Sequence, residues 1–159
     1  MKKNILILVI LFLNLTNTNA QTNNIDIKTL EKIINMSMNE FEDWSLNKGL
    51  TYLEIKNFED FDVVSYQNKN KYKISILINK DGTSRGILEY NTTNNLEYIN
   101  SKKNCNKFGY KFEKSEYATG DNGLKRLMHI YNSTENTLTF YTSNKEKYYP
   151  FNISLIKIR

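Results

Sequence analysis

His129 and Cys105 are the only imidazole and the only thiol in the chain, so nucleophilic or metal chemistry must run through them or through carboxylates. Thiolate–imidazole zinc sites draw on three or four such ligands, and this sequence cannot supply them. No metal and no cofactor is therefore indicated, and a single Cys closes no disulfide within the chain. A catalytic His needs an orienting acid and a nucleophile within hydrogen-bond reach. His129 instead sits between Met128 and Ile130 in a strand-like run, with no motif placing Cys105 or a Ser beside it. Cys105 has Lys102 and Lys103 as cationic neighbours that could lower a thiol pKa, but it reads more simply as a half-buried free thiol. No residue is assigned a catalytic role.

The remaining candidates are acids. Glu40, Glu42 and Asp43, and then Glu59, Asp60 and Asp62, could supply the carboxylate pair of a glycoside hydrolase. Such pairs work only at defined separations that a sequence does not fix, and both clusters read as a solvated helix face and a polar loop. Asp121-Asn122-Gly123 resembles the start of a calcium loop, but the later oxygen ligands and the closing Glu do not follow. There is no phosphate-binding glycine loop and no nucleophile elbow.

Charge narrows the partners. The chain carries 22 Lys plus Arg against 17 Asp plus Glu, and Lys2 and Lys3 belong to a leader. The other twenty basic residues are scattered, with short groups at Lys69, Lys71 and Lys73, at Lys102 and Lys103, and at Lys145 and Lys147, often beside acids. They make no phosphate-tracking stripe, so no nucleic-acid partner is expected. Aromatic residues are more informative: 11 Tyr, 8 Phe and one Trp make up 13% of the chain. Tyr combines a large contact area with low entropy cost and is enriched at interfaces.

The first twenty residues read as a signal peptide: basic Lys2 and Lys3, an apolar run Ile5–Leu13, and a polar stretch ending at Ala20. The run is too short to span a bilayer as a helix, and no second run of that length follows, so no membrane span is expected. Residues 21–159 then form a single domain that is secreted or periplasmic. The leader, the Ala20-Gln21 junction and the Lys, Asn and Ile usage resemble exported proteins of low-GC bacteria such as flavobacteria.

Residue periodicity gives the elements that must position any site. Ile27, Leu30, Ile34, Met38 and Phe41 recur at spacings of three and four, predicting one helix from the N-cap Asp26 to the stop Gly49. From Leu50 the period changes to two. Strands are predicted near 50–56, 61–67, 72–78 and 85–90, with Asp81-Gly82 turning the third into the fourth. A second helix is predicted over 94–108, with Leu96, Ile99, Cys105 and Phe108 as its apolar positions and Gly109 as its stop. Strands near 110–115, 125–131, 137–142 and 149–158 follow. The fold class is α+β, with two helices packed on one face of an antiparallel sheet of about eight strands.

Helix plus four strands occurs twice, over 26–91 and 94–159. Gly49-Leu50-Thr51-Tyr52 corresponds to Gly109-Tyr110-Lys111-Phe112, and Val64-Ser65-Tyr66 to His129-Ile130-Tyr131. Two degenerate repeats are a reasonable inference, with a loop insertion at 120–123 taking up the spacing difference. At the level of architecture this resembles the β-lactamase inhibitor protein family. That family's repeats carry disulfides where this chain has only Cys105, so no residue role is carried over. The resemblance implies an inhibitor-like or immunity-like role.

The expectation is an exported, non-enzymatic binding module for a protein partner, with a small-ligand or cell-surface glycan binder as the alternative and a carboxylate hydrolase behind it. The sheet face away from the helices is the expected binding surface. Its expected residues are Tyr66, Tyr131 and Tyr141, with Lys73 and His129 as polar neighbours. The three-part leader predicts that the exported protein begins at Gln21. An intact mass that retains residues 1–20 would refute this.

Overall fold

The structure is a computed structural model, and it describes residues 25–69, 71–119, 123, 125–142 and 149–158. Helix α1 spans Ile27–Ile33 and α2 spans Met38–Asn47. Strands β1 (Thr51–Asn57), β2 (Phe61–Asn68), β3 (Tyr72–Asn79) and β4 (Ser84–Thr92) follow. Helix α3 (Asn95–Asn104) runs into a 3₁₀ turn at Cys105–Phe108. Strands β5 (Lys111–Thr119), β6 (Lys125–Asn132), β7 (Asn136–Thr142) and β8 (Phe151–Lys157) complete the chain. All eight strands form one antiparallel sheet in the order β1-β2-β3-β4-β8-β7-β6-β5. No helix among the described residues is long and apolar enough to cross a membrane.

The first helix of the sequence reading is two helices. Ser37 breaks it by forming a capping box: its hydroxyl accepts from Glu40 N–H, and the Glu40 carboxylate accepts from Ser37 N–H at 2.8 Å. Satisfying these orphan donors makes a new helix start cheaper than continuation. The apolar stripe survives the break because Ile27, Leu30, Ile34 and Phe41 are all buried. Asp26 caps α1 through Thr29 N–H. In the second half Asn94 caps α3, and the helix buries Tyr98 and Glu97 while Leu96 faces solvent. A spacing count that favoured Leu96 missed this, because α3 has only a weakly apolar face and sits on the sheet through a tyrosine.

Both helical segments end in the same way. Gly49 and Gly109 adopt φ of +69° and +84°, a left-handed turn that glycine enters without strain. Leu50 N–H then donates to Ser45 C=O, and Tyr110 N–H to Cys105 C=O. The strands that follow carry a bulge at matching places. Tyr52 pairs with Tyr66 and Glu54 with Ser65, and Phe112 pairs with Tyr131 and Lys114 with Ile130.

The core lies between the helices and one sheet face. Tyr72, Ile74, Ile76 and Ile78 of β3 point into it, as the period of two requires. Leu88, Tyr90, Leu138, Phe140, Ile153 and Leu155 join them from the neighbouring strands. Phe41 of α2 meets Tyr66 edge-on at 5.5 Å, and Tyr98 of α3 meets Phe140 at 5.7 Å. Each fully buried aliphatic or aromatic side chain contributes about 1.5–3 kcal/mol, so this single apolar layer is the main source of stability.

Tyr66 corrects an expectation. It pairs directly with Ile74, which puts it on the helix face, and it is only 1% exposed. Tyr66→Ala is expected to cost about 3 kcal/mol in urea unfolding, as for other buried aromatics, with Tyr66→Phe far milder. A Tyr66→Ala protein as stable as the parent would contradict this placement.

Candidate functional site

The helix-free face is built from alternate residues of every strand. One row runs Gln67, Lys73, Asn91, Asn152, Tyr141 and Met128 across β2, β3, β4, β8, β7 and β6. The next runs Glu54, Ser65, Ser75, Glu89, Ser154 and Thr139. Although no helix covers them, Ser65, Ser75, Asn91 and Asn152 are buried. Ser65 and Ser75 share a 2.8 Å hydroxyl–hydroxyl hydrogen bond, so short polar side chains satisfy one another at the middle of this face. Lys73 and Lys56 both approach Glu54, at 3.5 and 3.4 Å.

Two cation–aromatic contacts flank the polar rows. The Arg126 guanidinium lies over the Tyr141 ring at 5.6 Å, and Arg85 over Phe61 at 4.7 Å. Beside Arg85 the polar character gives way to Val63, Leu77, Ile87 and Ile156, which continue the register of the polar rows. Tyr149, just before β8, reaches back over the sheet. Its hydroxyl lies 3.5 Å from Gln67 Oε1, and its carbonyl accepts from Asn152 Nδ2 at 3.3 Å.

Of the five residues expected on this face, the structure puts Tyr141 and Lys73 there and the other three elsewhere. Tyr66 lies beneath α2. Tyr131 pairs with Leu138 and packs edge-on against Phe140 and Phe112. His129 pairs with Phe140, so it too belongs to the helix side. The physical reason is strand phase. In β6 both alternating sets, Leu127/His129/Tyr131 and Met128/Ile130, contain apolar residues, so the sequence does not say which set faces inward.

On the helix side His129 Nδ1 lies 2.8 Å from Ser115 Oγ across the β5–β6 pair, a contact that strand pairing alone creates and no local motif announces. Burial first, and the nearby Lys102 ammonium second, hold the imidazole below its ordinary pKa. No described carboxylate hydrogen-bonds the ring, so the pair lacks the orienting acid of a nucleophilic triad. Burial pushes the Cys105 thiol up, and the thiol donates to the Lys102 carbonyl, the opposite of an activated nucleophile. Within the acidic clusters, Glu40 serves in the capping box and Asp62 pairs with Lys80. No group of three or more His, Cys, Asp or Glu among the described residues could hold a metal ion. The Asp121-Asn122-Gly123 segment lies mostly outside the described residues.

One buried acid was not anticipated. Glu97 accepts from Ile25 N–H at 2.9 Å and from Thr92 Oγ1 at 3.1 Å, tying the start of the described chain to α3. Beneath it the Tyr72 hydroxyl is buried with no hydrogen-bond partner among the described residues, and the buried Tyr90 hydroxyl faces Glu97 and Thr92. Desolvation, and then the Glu97 charge, raise both phenol pKa values. A hollow of about 310 Å³ between Ile27, Glu97, Asn104 and Phe108 opens at this rim.

No protein-family profile, curated protein or solved structure matches the chain.

His129 supplies a pH test. Because its folded pKa lies below the ordinary 6.5, the unfolded chain takes up the proton first as pH falls. Stability present above pH 6.5 is therefore lost on acidification. His129→Gln is expected to narrow the difference in urea midpoint between about pH 7.5 and 5.5. An unchanged difference would show that the folded environment does not act on His129.

Proposed function

We propose that the chain is an exported, non-enzymatic binding module whose helix-free sheet face engages a protein partner, in the manner of an inhibitor or immunity protein. The carrying observation is the composition of that face: polar rows with Lys73 and Tyr141 in register, two cation–aromatic contacts beside them, and no helix laid over them. Flat sheet surfaces with aromatic and Arg groups at separate points suit macromolecular contact, where a few such anchors carry most of the affinity. The middle of the layer between helices and sheet is occupied by core side chains, which leaves a small-ligand reading the hollow of about 310 Å³ at its rim.

A glycan is the second reading, favoured by the amides of Gln67, Asn91 and Asn152 lying in one row with Tyr141. Amides match sugar hydroxyls, and an aromatic ring stacks on a sugar face.

The two halves are read as degenerate repeats. The matching glycine turns, the matching bulges and the β4–β8 pairing support this. In that pairing Leu88 lies opposite Leu155 and Tyr90 opposite Ile153, the arrangement that two repeats related by a two-fold axis through the Glu89–Ser154 pair would give.

The test is capture from cell-envelope extracts by the exported protein beside Tyr141→Ala and Lys73→Glu variants. Both changes are expected to weaken capture of a defined protein about tenfold or more, as for an interface anchor, with the melting temperature unchanged. Capture indifferent to both changes would reject this face. Loss of capture after glycan removal from the extract would favour the glycan reading.

A further inference from the structure

The two outer strands of the sheet are protected unequally. An edge strand presents unpaired backbone groups, and charges and bulges normally guard it. Both strands bulge near the same end and both expose aromatics, Tyr52 on β1 and Phe112 and Tyr117 on β5. Strand β5 also carries Lys111, Glu113, Lys114 and Glu116 along it and has the polar Ser115 at its centre. Strand β1 carries only Glu54 and Lys56, around an apolar centre: Leu53, Ile55 and, just past its end, Phe58 are 37%, 41% and 48% exposed. Nothing among the described residues pairs with its outer edge.

The charges that β1 does carry are self-complementary. Glu54 and Lys56 flank Ile55 and point to the same face, since they pair with Ser65 and Val63 of β2. If a second copy pairs antiparallel about Ile55, each Glu54 lies opposite the other chain's Lys56, and the two Ile55 side chains meet. A parallel arrangement would set like charges against each other. Opposite charges directly across a strand pair stabilise it, and like charges destabilise it. A two-fold contact of this kind is closed and stops at two copies.

We infer that the edge of β1 is a homodimerisation strand, joining two copies antiparallel about Ile55 into one continuous sheet. The seam is short, running from Leu53 to Asn57 between the bulge of one strand and the hairpin end of the other. It therefore belongs to the weak, reversible class of interfaces. Glu54 of the seam also meets Lys73 of the open face at 3.5 Å, so the two readings are separated by their readouts: oligomeric state for the β1 edge, and capture by Tyr141→Ala, remote from β1, for the open face.

Sedimentation equilibrium on the purified protein, its N-terminus defined by intact mass, over about 1–500 μM is the test, across the range expected of weak interfaces. A concentration-dependent monomer–dimer equilibrium is expected. Glu54→Lys and Lys56→Glu singly should each raise the dissociation constant about tenfold or more, and the double exchange should restore it. Ile55→Lys should leave only monomer, with circular dichroism and melting temperature as controls on folding. A monomer at every concentration would overturn the inference. So would a dimer that ignores these changes, or one that responds to charge reversal in β5.

Discussion

Everything in this structure hangs on the pairing of β4 with β8. Each half of the chain makes its own four-stranded antiparallel meander through local hairpins, but only this pairing joins the two meanders into one sheet. It aligns Leu88 with Leu155 and Tyr90 with Ile153, and all four are buried. Because side chains alternate, fixing these pairs fixes the phase of every other strand outward to both edges. A one-residue slip would turn each half's apolar set away from the other's helices. The helices of both halves can then share one apolar layer, and no helix among the described residues covers the opposite face.

Polar contacts at the rim hold that layer in place. The Tyr110 hydroxyl donates to the Glu31 carboxylate at 2.8 Å, joining the entry of the second half to α1. Glu97 joins Ile25 to α3 in the same region. Glu97 lies in the first turn of α3. Its two hydrogen bonds offset part of the cost of burial. The short helix α1, which would be marginal alone, is thus anchored by both its apolar stripe and its contacts to the second half.

The distribution of polar groups follows from the same constraint. On the helix side burial holds the His129 imidazole toward neutrality and the Cys105 thiol away from thiolate. The open face carries exposed charge together with small polar side chains that satisfy one another. The β5–β6 pairing does bring the Ser115 hydroxyl to the His129 imidazole at 2.8 Å, but no described carboxylate hydrogen-bonds the ring as the third member of a triad.

The sequence alone determined the α+β class, the eight strands and most of their limits, because alternation and glycine turns are local signals. It also placed Ile74, Ile76, Leu138 and Phe140 inward and Tyr141 outward, since in those strands only one alternating set is strongly apolar. The helix break at Ser37 was legible in principle from the Ser37–Glu40 spacing, but the apolar stripe running through it masked the signal. Tertiary structure alone decided the side of Tyr66, Tyr131 and His129. In β2 and β6 both sets hold apolar residues, so the facing partner, Ile74, Leu138 or Phe140, sets the phase. The Ser115–His129 contact and the burial of Glu97 were likewise beyond the sequence. Each joins residues through strand register or packing across the chain, and neither is encoded in any short stretch of it.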